Sequence, residues 1–162
     1  MTERAAIPPV AAALGYAGLL PFFAGAAALW SGPPWAGLIG SWLLAYAAII
    51  LSFMAGVRWG TSMFGGSTAH SPDAGGLALS VVPSLIGWLA LTPDALIAPV
   101  TGAAVPLAFR FALCAAAFVG LWRWDLSAAK RGVAPGWYGP LRTRLTFGVC
   151  CALLVGALSP AA

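Results

Sequence analysis

From Ala5 to Val57 the chain runs 53 residues without one Asp, Glu, Lys, Arg or His. A transmembrane helix needs only about 20 apolar residues, so this stretch is long enough for two crossings joined by a short turn. A water-soluble fold has no use for such a segment. The rest of the composition agrees: 61% of the 162 residues are hydrophobic, 7% are charged, and the mean hydropathy is +0.92. An ordinary soluble domain carries about 25% charged residues. The sequence therefore predicts an all-α integral membrane protein folded as a single transmembrane domain over residues 1–162.

The net charge of +4 and the pI near 9.4 are compatible with nucleic-acid binding in principle. Here the basic residues flank apolar spans, so they read as orientation signals and as contacts to anionic lipid at the cytoplasmic face, with no nucleic acid. Cys114, Cys150 and Cys151 all fall in apolar windows and form no spaced disulfide or zinc pattern. The apolar run after Arg4 resembles a secretory signal and is read as a retained span.

Five spans are expected, over about 10–30, 36–57, 72–91, 101–122 and 141–158, with a basic cytoplasmic loop at 123–140. Pro21 should kink the first by removing a backbone donor. Ser31-Gly-Pro-Pro-Trp35 allows only a tight turn, and residues 60–74, with His70, read as a Gly/Ser-rich loop. Ser71-Pro72-Asp73 and Thr92-Pro93-Asp94 both offer a hydroxyl N-cap, proline at the first helical position and an acid in the first turn. Pro93 to Trp124 as one straight helix would reach about 48 Å, against a hydrocarbon core of about 30 Å. An interfacial stretch from Pro93 to Val100, ahead of the fourth span, resolves the excess.

With the N-terminus inside, the cytoplasmic segments collect Arg4, Arg58, Arg123, Lys130, Arg131, Arg142 and Arg144, and the outer loops hold no Lys or Arg. That asymmetry predicts an N-in, C-out bundle in the bacterial inner membrane. Trp30, Trp35, Trp59, Trp122, Trp124, Trp137 and Tyr138 fall at the span ends, where interfacial aromatics belong.

Arg110 is the eighth basic residue and the one expected inside a span, about 18 Å from the inner interface if the helix runs straight to Trp122. A charge at that depth costs about 2.5–3.5 kcal/mol on insertion scales. Its counter-charge would be a lipid phosphate, a neighbouring chain, or Asp94 reached through a shifted helix; the bland reading is that it snorkels outward. Arg58, Trp59 and Gly60 close span two, and Gly56-x-x-x-Gly60 permits close helix approach to a partner or lipid headgroup; the simpler reading, and the one favoured, is an interfacial anchor with an incidental glycine pair. Gly148, Ala152 and Gly156 recur every four residues in span five as a packing groove, with internal packing the expected use. His70 lies in a loop, unsuited to haem, and no Cys, Asp or Glu cluster joins it for a metal. The acids Glu3, Asp73, Asp94 and Asp125 all fall outside the mid-span regions. There is no nucleophile with a base, no phosphate-cradling loop and no carboxylate pair. The expected cofactor and metal complement is none, and the chain is not expected to be an enzyme.

Four segments in order carry a resemblance: Gly15-Tyr-Ala-Gly-Leu-Leu-Pro-Phe22, Tyr46-Ala-Ala-Ile-Ile-Leu-Ser-Phe-Met-Ala-Gly-Val-Arg-Trp-Gly60, Ser80-Val-Val-Pro-Ser-Leu-Ile-Gly-Trp88 and Trp137-Tyr-Gly-Pro-Leu-Arg-Thr-Arg-Leu-Thr146. The pattern resembles an uncharacterised bacterial membrane-protein family, a domain of unknown function whose eukaryotic relatives include transmembrane protein 69. The resemblance implies a small polytopic inner-membrane protein with a mitochondrial counterpart, and brings no catalytic residues with it. Arg58, Trp59, Gly60, Trp137, Tyr138 and Arg142 lie within its segments; Arg110 does not.

Two functions remain open from sequence, with a membrane enzyme acting on lipid or quinone only a residual because no acid/base pair is visible. One is an accessory or assembly subunit docking on a larger respiratory or photosynthetic membrane complex. The other is a small channel, carrier or lipid-binding protein that holds an anionic group with Arg110 and Arg58. The expected contacts to partner subunits or lipid are Arg58, Trp59, Gly60, Arg110, Trp137, Tyr138 and Arg142.

Overall fold

Interior prolines and glycines set where each helix of this chain starts, bends and stops. A computed structural model describes residues 6–32, 34–64 and 73–160, and these are all helix and turn. His70, Ser71, Pro72, Glu3 and Arg4 lie outside the described residues. The order is α1 (Pro9–Ala17), α2 (Leu20–Trp30), α3 (Ala36–Phe64), α4 (Ala74–Ala90), α5 (Asp94–Thr101), α6 (Leu107–Lys130) and α7 (Tyr138–Ala157).

The first span is broken one turn before Pro21, at Gly18-Leu19. A proline ring crowds the carbonyl four residues back, which here is Ala17, so the ladder gives way there. The Tyr46 hydroxyl on α3 donates to the Gly18 carbonyl at 3.0 Å, giving that carbonyl a partner at the break.

α3 runs 29 residues, seven further than the 36–57 expected. No proline interrupts it, and Gly65-Gly66 is the first strong stop signal in the sequence. Arg58, Trp59 and Gly60 consequently stand inside the helix rather than at its end. α4 starts at Ala74 because Asp73 is its N-cap, the carboxylate accepting from the Gly76 N–H at 3.0 Å. The acid expected in the first turn is thus the cap itself. The Asp73 N–H donates to the Ser62 carbonyl at 3.1 Å, joining the start of α4 to the end of α3.

α4 and α5 meet at 90°. Thr92 does not cap α5; Pro93 occupies the N-cap position, and Asp94 opens the helix. Gly102, in the left-handed region at φ 76°, ends it. Pro106 then fixes the start of α6 at Leu107, so the fourth span shifts from 101–122 to Leu107–Lys130. α7 starts at Tyr138, three residues before the expected 141. Together these shifts shrink the basic 123–140 loop to the few residues between Lys130 and Tyr138.

Four helical segments are long and apolar enough to cross a membrane: Pro9–Trp30, Ala36–Met63, Leu107–Lys130 and Tyr138–Ala157. The bent pair α4–α5 supplies a fifth if it is counted as one span. Phe22, Leu29, Leu51, Phe111, Phe118 and Leu153 fill the centre, with Phe22 edge-on to both Tyr46 and Phe118 at 5.0 and 6.1 Å between ring centroids. Gly148, Ala152 and Gly156 face this core. A Cβ on Gly148 would stand 2.9 Å from Leu19, and one on Gly156 would stand 3.3 Å from Phe111. The closest backbone approach is elsewhere, between α4 and α3, where a Cβ on Gly87 would stand 3.1 Å from the Ala48 Cα. Small residues at such crossings let helices gain dispersion contacts where lipid offers no hydrophobic drive.

Candidate functional site

The last turns of α3 and α6 and the first turns of α7 converge at one end of the bundle. Three ionised side chains meet there with almost no exposure: Arg58 at 6%, Asp125 at 1% and Arg142 at 4%. Asp125 falls in this spot because it continues the buried stripe of α6 through Phe118, Leu121 and Ala128, at helical spacing. Arg142 of α7 donates from Nε to Oδ2 of Asp125 at 2.7 Å, and the Tyr138 hydroxyl reaches the same oxygen at 3.3 Å. Nε of Arg58 stands 3.7 Å from Oδ1, a Coulombic contact too long for a hydrogen bond. The Arg58 guanidinium lies over the Trp124 ring, 4.1 Å from its centroid.

Two guanidiniums thus share one carboxylate, leaving a surplus positive charge out of water. Asp125 Oδ1, Arg58 Nε and Arg142 Nη2 have no hydrogen-bond partner, and Arg142 Nη1 is offered only the Met54 sulfur, at 3.0 Å. Thioether sulfur is a weak acceptor, so the outer edge of Arg142 is under-satisfied. Buried charges are tolerated only when paired, and removing one partner leaves the others stranded. This end of the molecule is where the described residues concentrate unbalanced electrostatics.

Arg110 has a different setting. It lies in the first turn of α6, at the opposite end, rather than in mid-span. Its guanidinium pairs with Asp94 through Nη2, and Nη1 donates to the carbonyls of Ala90 at 2.9 Å and Thr92 at 2.6 Å. Nε donates to the Val105 carbonyl at 3.2 Å. Asp94 also accepts from the Val105 N–H. The helix start at Leu107 brings Arg110 to Asp94, which is the third of the counter-charges considered from sequence. The side chain does not snorkel outward. It closes the loop between α4, α5 and α6, and its donors are directed at this chain's own carbonyls and carboxylate.

Of the remaining candidates, Trp137 stands edge-on to Tyr138 at 6.2 Å, and Trp59 is nearly half exposed. Among the described residues no atom stands within 4 Å of where a Cβ on Gly56 or Gly60 would be, so their face makes no close approach to the described helices. The structure therefore brings Arg58, Tyr138 and Arg142 together and leaves Trp59, Gly56, Gly60 and Arg110 apart from them. Asp125, Trp124 and Met54 complete the cluster; in the sequence Trp124 counts only as an interfacial aromatic, and Asp125 and Met54 carry no expectation of a site. The available signal was that Asp125 is the only acid after Asp94. Among the described residues no group of three or more His, Cys, Asp or Glu could hold a metal ion.

A family model described as "Protein of unknown function (DUF3429)" matches residues 7–158, covering every element that builds the cluster. The chain belongs to the DUF3429 family. It is also similar to Transmembrane protein 69 of Xenopus tropicalis, at 32% identity over 163 residues, covering 93% of this chain and 54% of that protein. The DUF3429 chain thus spans about half the length of this curated relative. No solved structure matches it.

Proposed function

We propose that this DUF3429 protein is a non-catalytic, multi-pass subunit of the bacterial inner membrane, which docks one flank of α3 on a transmembrane helix of a larger complex. The bundle crosses five times, N-in and C-out, with α5 lying at the outer interface after α4. The charge distribution supports that topology. Every described Lys and Arg except Arg110 lies at the Arg58–Arg142 end, and Arg110 is paired with Asp94.

The observation that carries the docking role is the small-residue flank of α3. Ser52 and Gly56 are exposed, Gly60 follows at the same four-residue interval, and among the described residues nothing stands within 4 Å of a Cβ on either glycine. At three other places in this fold a helical glycine admits a neighbour, Gly87 meeting α3, Gly148 meeting Leu19 and Gly156 meeting Phe111; Gly37 and Gly120 are open too, but neither has a second glycine four positions away. The uncovered face suits a second apolar helix with its own small residues, since close approach is what binds helices in lipid.

A photoreactive amino acid at Val57, exposed beside the two glycines, is expected to crosslink one reproducible membrane polypeptide in cells. Changing Gly60 to Ile should abolish that product without lowering the amount of protein in the membrane. Crosslinks to lipid alone, or only between copies of this chain, would overturn the reading. The topology has its own check. A membrane-impermeant thiol reagent should label Ala95→Cys in cells whose outer membrane has been permeabilised, and should reach Arg131→Cys only after the inner membrane is opened. Labelling in the reverse order would refute the orientation.

A further inference from the structure

Beside the ion cluster, a cavity of about 120 Å³ opens between α1, α3 and α7. Its walls are mostly apolar, with Leu14, Ile50, Phe53 and Val149 among them, and two polar side chains line it, Arg142 and Thr146. Both are 4% exposed. Both carry an atom without any hydrogen-bond partner, Nη2 of Arg142 and Oγ1 of Thr146. They stand one turn apart on the same face of α7.

A threonine in a helix has an easy partner in the carbonyl four residues back, and Thr143 uses it, donating to Gly139 at 3.0 Å. Thr146 does not. An arginine normally fills both edges of its fork, yet here one edge holds Asp125 and the other has only sulfur. Leaving two buried donors unmatched is costly, and the cluster beside them already has one more positive than negative charge. The same cavity thus holds two unmatched donors and surplus positive charge within apolar walls.

We propose that this cavity binds the oxyanion head of an acyl-chain amphiphile. An oxyanion accepts from Arg142 Nη2 and Thr146 Oγ1 together, and offsets the unpaired charge of Arg58 and Arg142 against Asp125. The volume suits a head group and not a whole lipid, since a single water needs only about 10–15 Å³ of such space and an acyl chain many times more. The chain leaves between α1 and α3, where Leu14 and Phe53 are 70% and 65% exposed to the surrounding lipid. A fatty-acid carboxylate and a phospholipid phosphate share this chemistry. The proposal does not rest on the docking role proposed above.

The test uses the purified full chain in a neutral detergent, with oleate, dioleoyl phosphatidylglycerol and dioleoyl phosphatidylcholine as probes and native mass spectrometry as readout. One anionic amphiphile per chain is expected to survive desolvation, with phosphatidylcholine lost. Retention of oleate in preference to phosphatidylglycerol assigns a carboxylate head, and the reverse assigns a phosphate. Thr146→Val keeps the side-chain shape and removes the hydroxyl. It should weaken that binding at least tenfold, while the ligand-free protein melts at the same or a higher temperature because an unmatched hydroxyl is gone. Equal retention of phosphatidylcholine, or unchanged binding in Thr146→Val, overturns the proposal. Arg142→Lys should likewise lose preference among anions while keeping the charge; retained preference counts against the site.

Discussion

Asp125→Ala is expected to be the most damaging single substitution in the molecule, costing about 3–5 kcal/mol, the range for stranding a buried charge partner. Two guanidiniums at 6% and 4% exposure would face each other across the ends of α3, α6 and α7 with no carboxylate between them. Marginal stability is about 5–15 kcal/mol for ordinary domains, so a loss of this size takes a large share of it and should lower the unfolding temperature and the amount held in the membrane. The effect belongs to the stranded charges and not to the lost aspartate as such. Asp125→Leu combined with Arg58→Met and Arg142→Met should therefore recover most of the stability, since apolar replacements of a whole buried ion group are often neutral or better. Thermal unfolding in detergent, with membrane abundance alongside, reads both variants. A stable Asp125→Ala protein would mean that water reaches the cluster.

Arg110→Ala should be the second largest effect, about 2–3 kcal/mol from charged hydrogen bonds lost. It strips partners from the carbonyls of Ala90, Thr92 and Val105 at once. Arg110→Lys should not restore stability, because an ammonium cannot present the planar fork that reaches those acceptors and Asp94 together. Asp94→Ala should be milder than Arg110→Ala, since the Asp94 side chain is 50% exposed and its share of the ion pair is screened. The readout is proteolysis near Gly102, where loosening of the α4–α5 bend first frees the backbone. If Asp94→Ala proves the worse of the two, the ion pair and not the carbonyl network holds this bend.

Much of this fold can be read along the chain. The charge-free run before Arg58 and the proline turns mark the helical segments, and the segment between Pro93 and Arg110 breaks where Gly102 and Pro106 demand it. The four-residue recurrence of Gly148, Ala152 and Gly156 does describe a face, and that face lies against the core. What escapes a linear reading is depth. Counted back from Trp122 on a helix that ends there, Arg110 is deep; the helix begins at Leu107, and the same residue lies in its first turn. A linear reading puts Asp125 in a loop because it follows Trp122 and Trp124, two residues that usually mark an interface. Only the helical stripe through Phe118 and Leu121 continues far enough to bury it. The Gly56-x-x-x-Gly60 spacing fails differently. Spacing reports that a close approach is possible, and cannot say whether the approaching helix is in the same chain.

The partner of Arg142 is likewise a tertiary fact. Its sequence distance from Asp125 is 17 residues, with the α6–α7 turn between them, and its outer edge reaches Met54 on a third helix 88 residues away. No local pattern connects those three positions, which is why the candidate site was legible as a set of basic and aromatic residues but not as a cluster with a charge imbalance.

The most direct test of the account is a double-mutant cycle between Asp125 and Arg142, using Asp125→Asn, Arg142→Gln and the pair, measured by unfolding in mixed micelles. A buried ion pair bonded at 2.7 Å predicts strong coupling, with the double variant less destabilised than the two singles combined by more than about 1 kcal/mol. Additive losses, agreeing within about 0.5 kcal/mol, would mean that the two residues do not form the buried tie between α6 and α7.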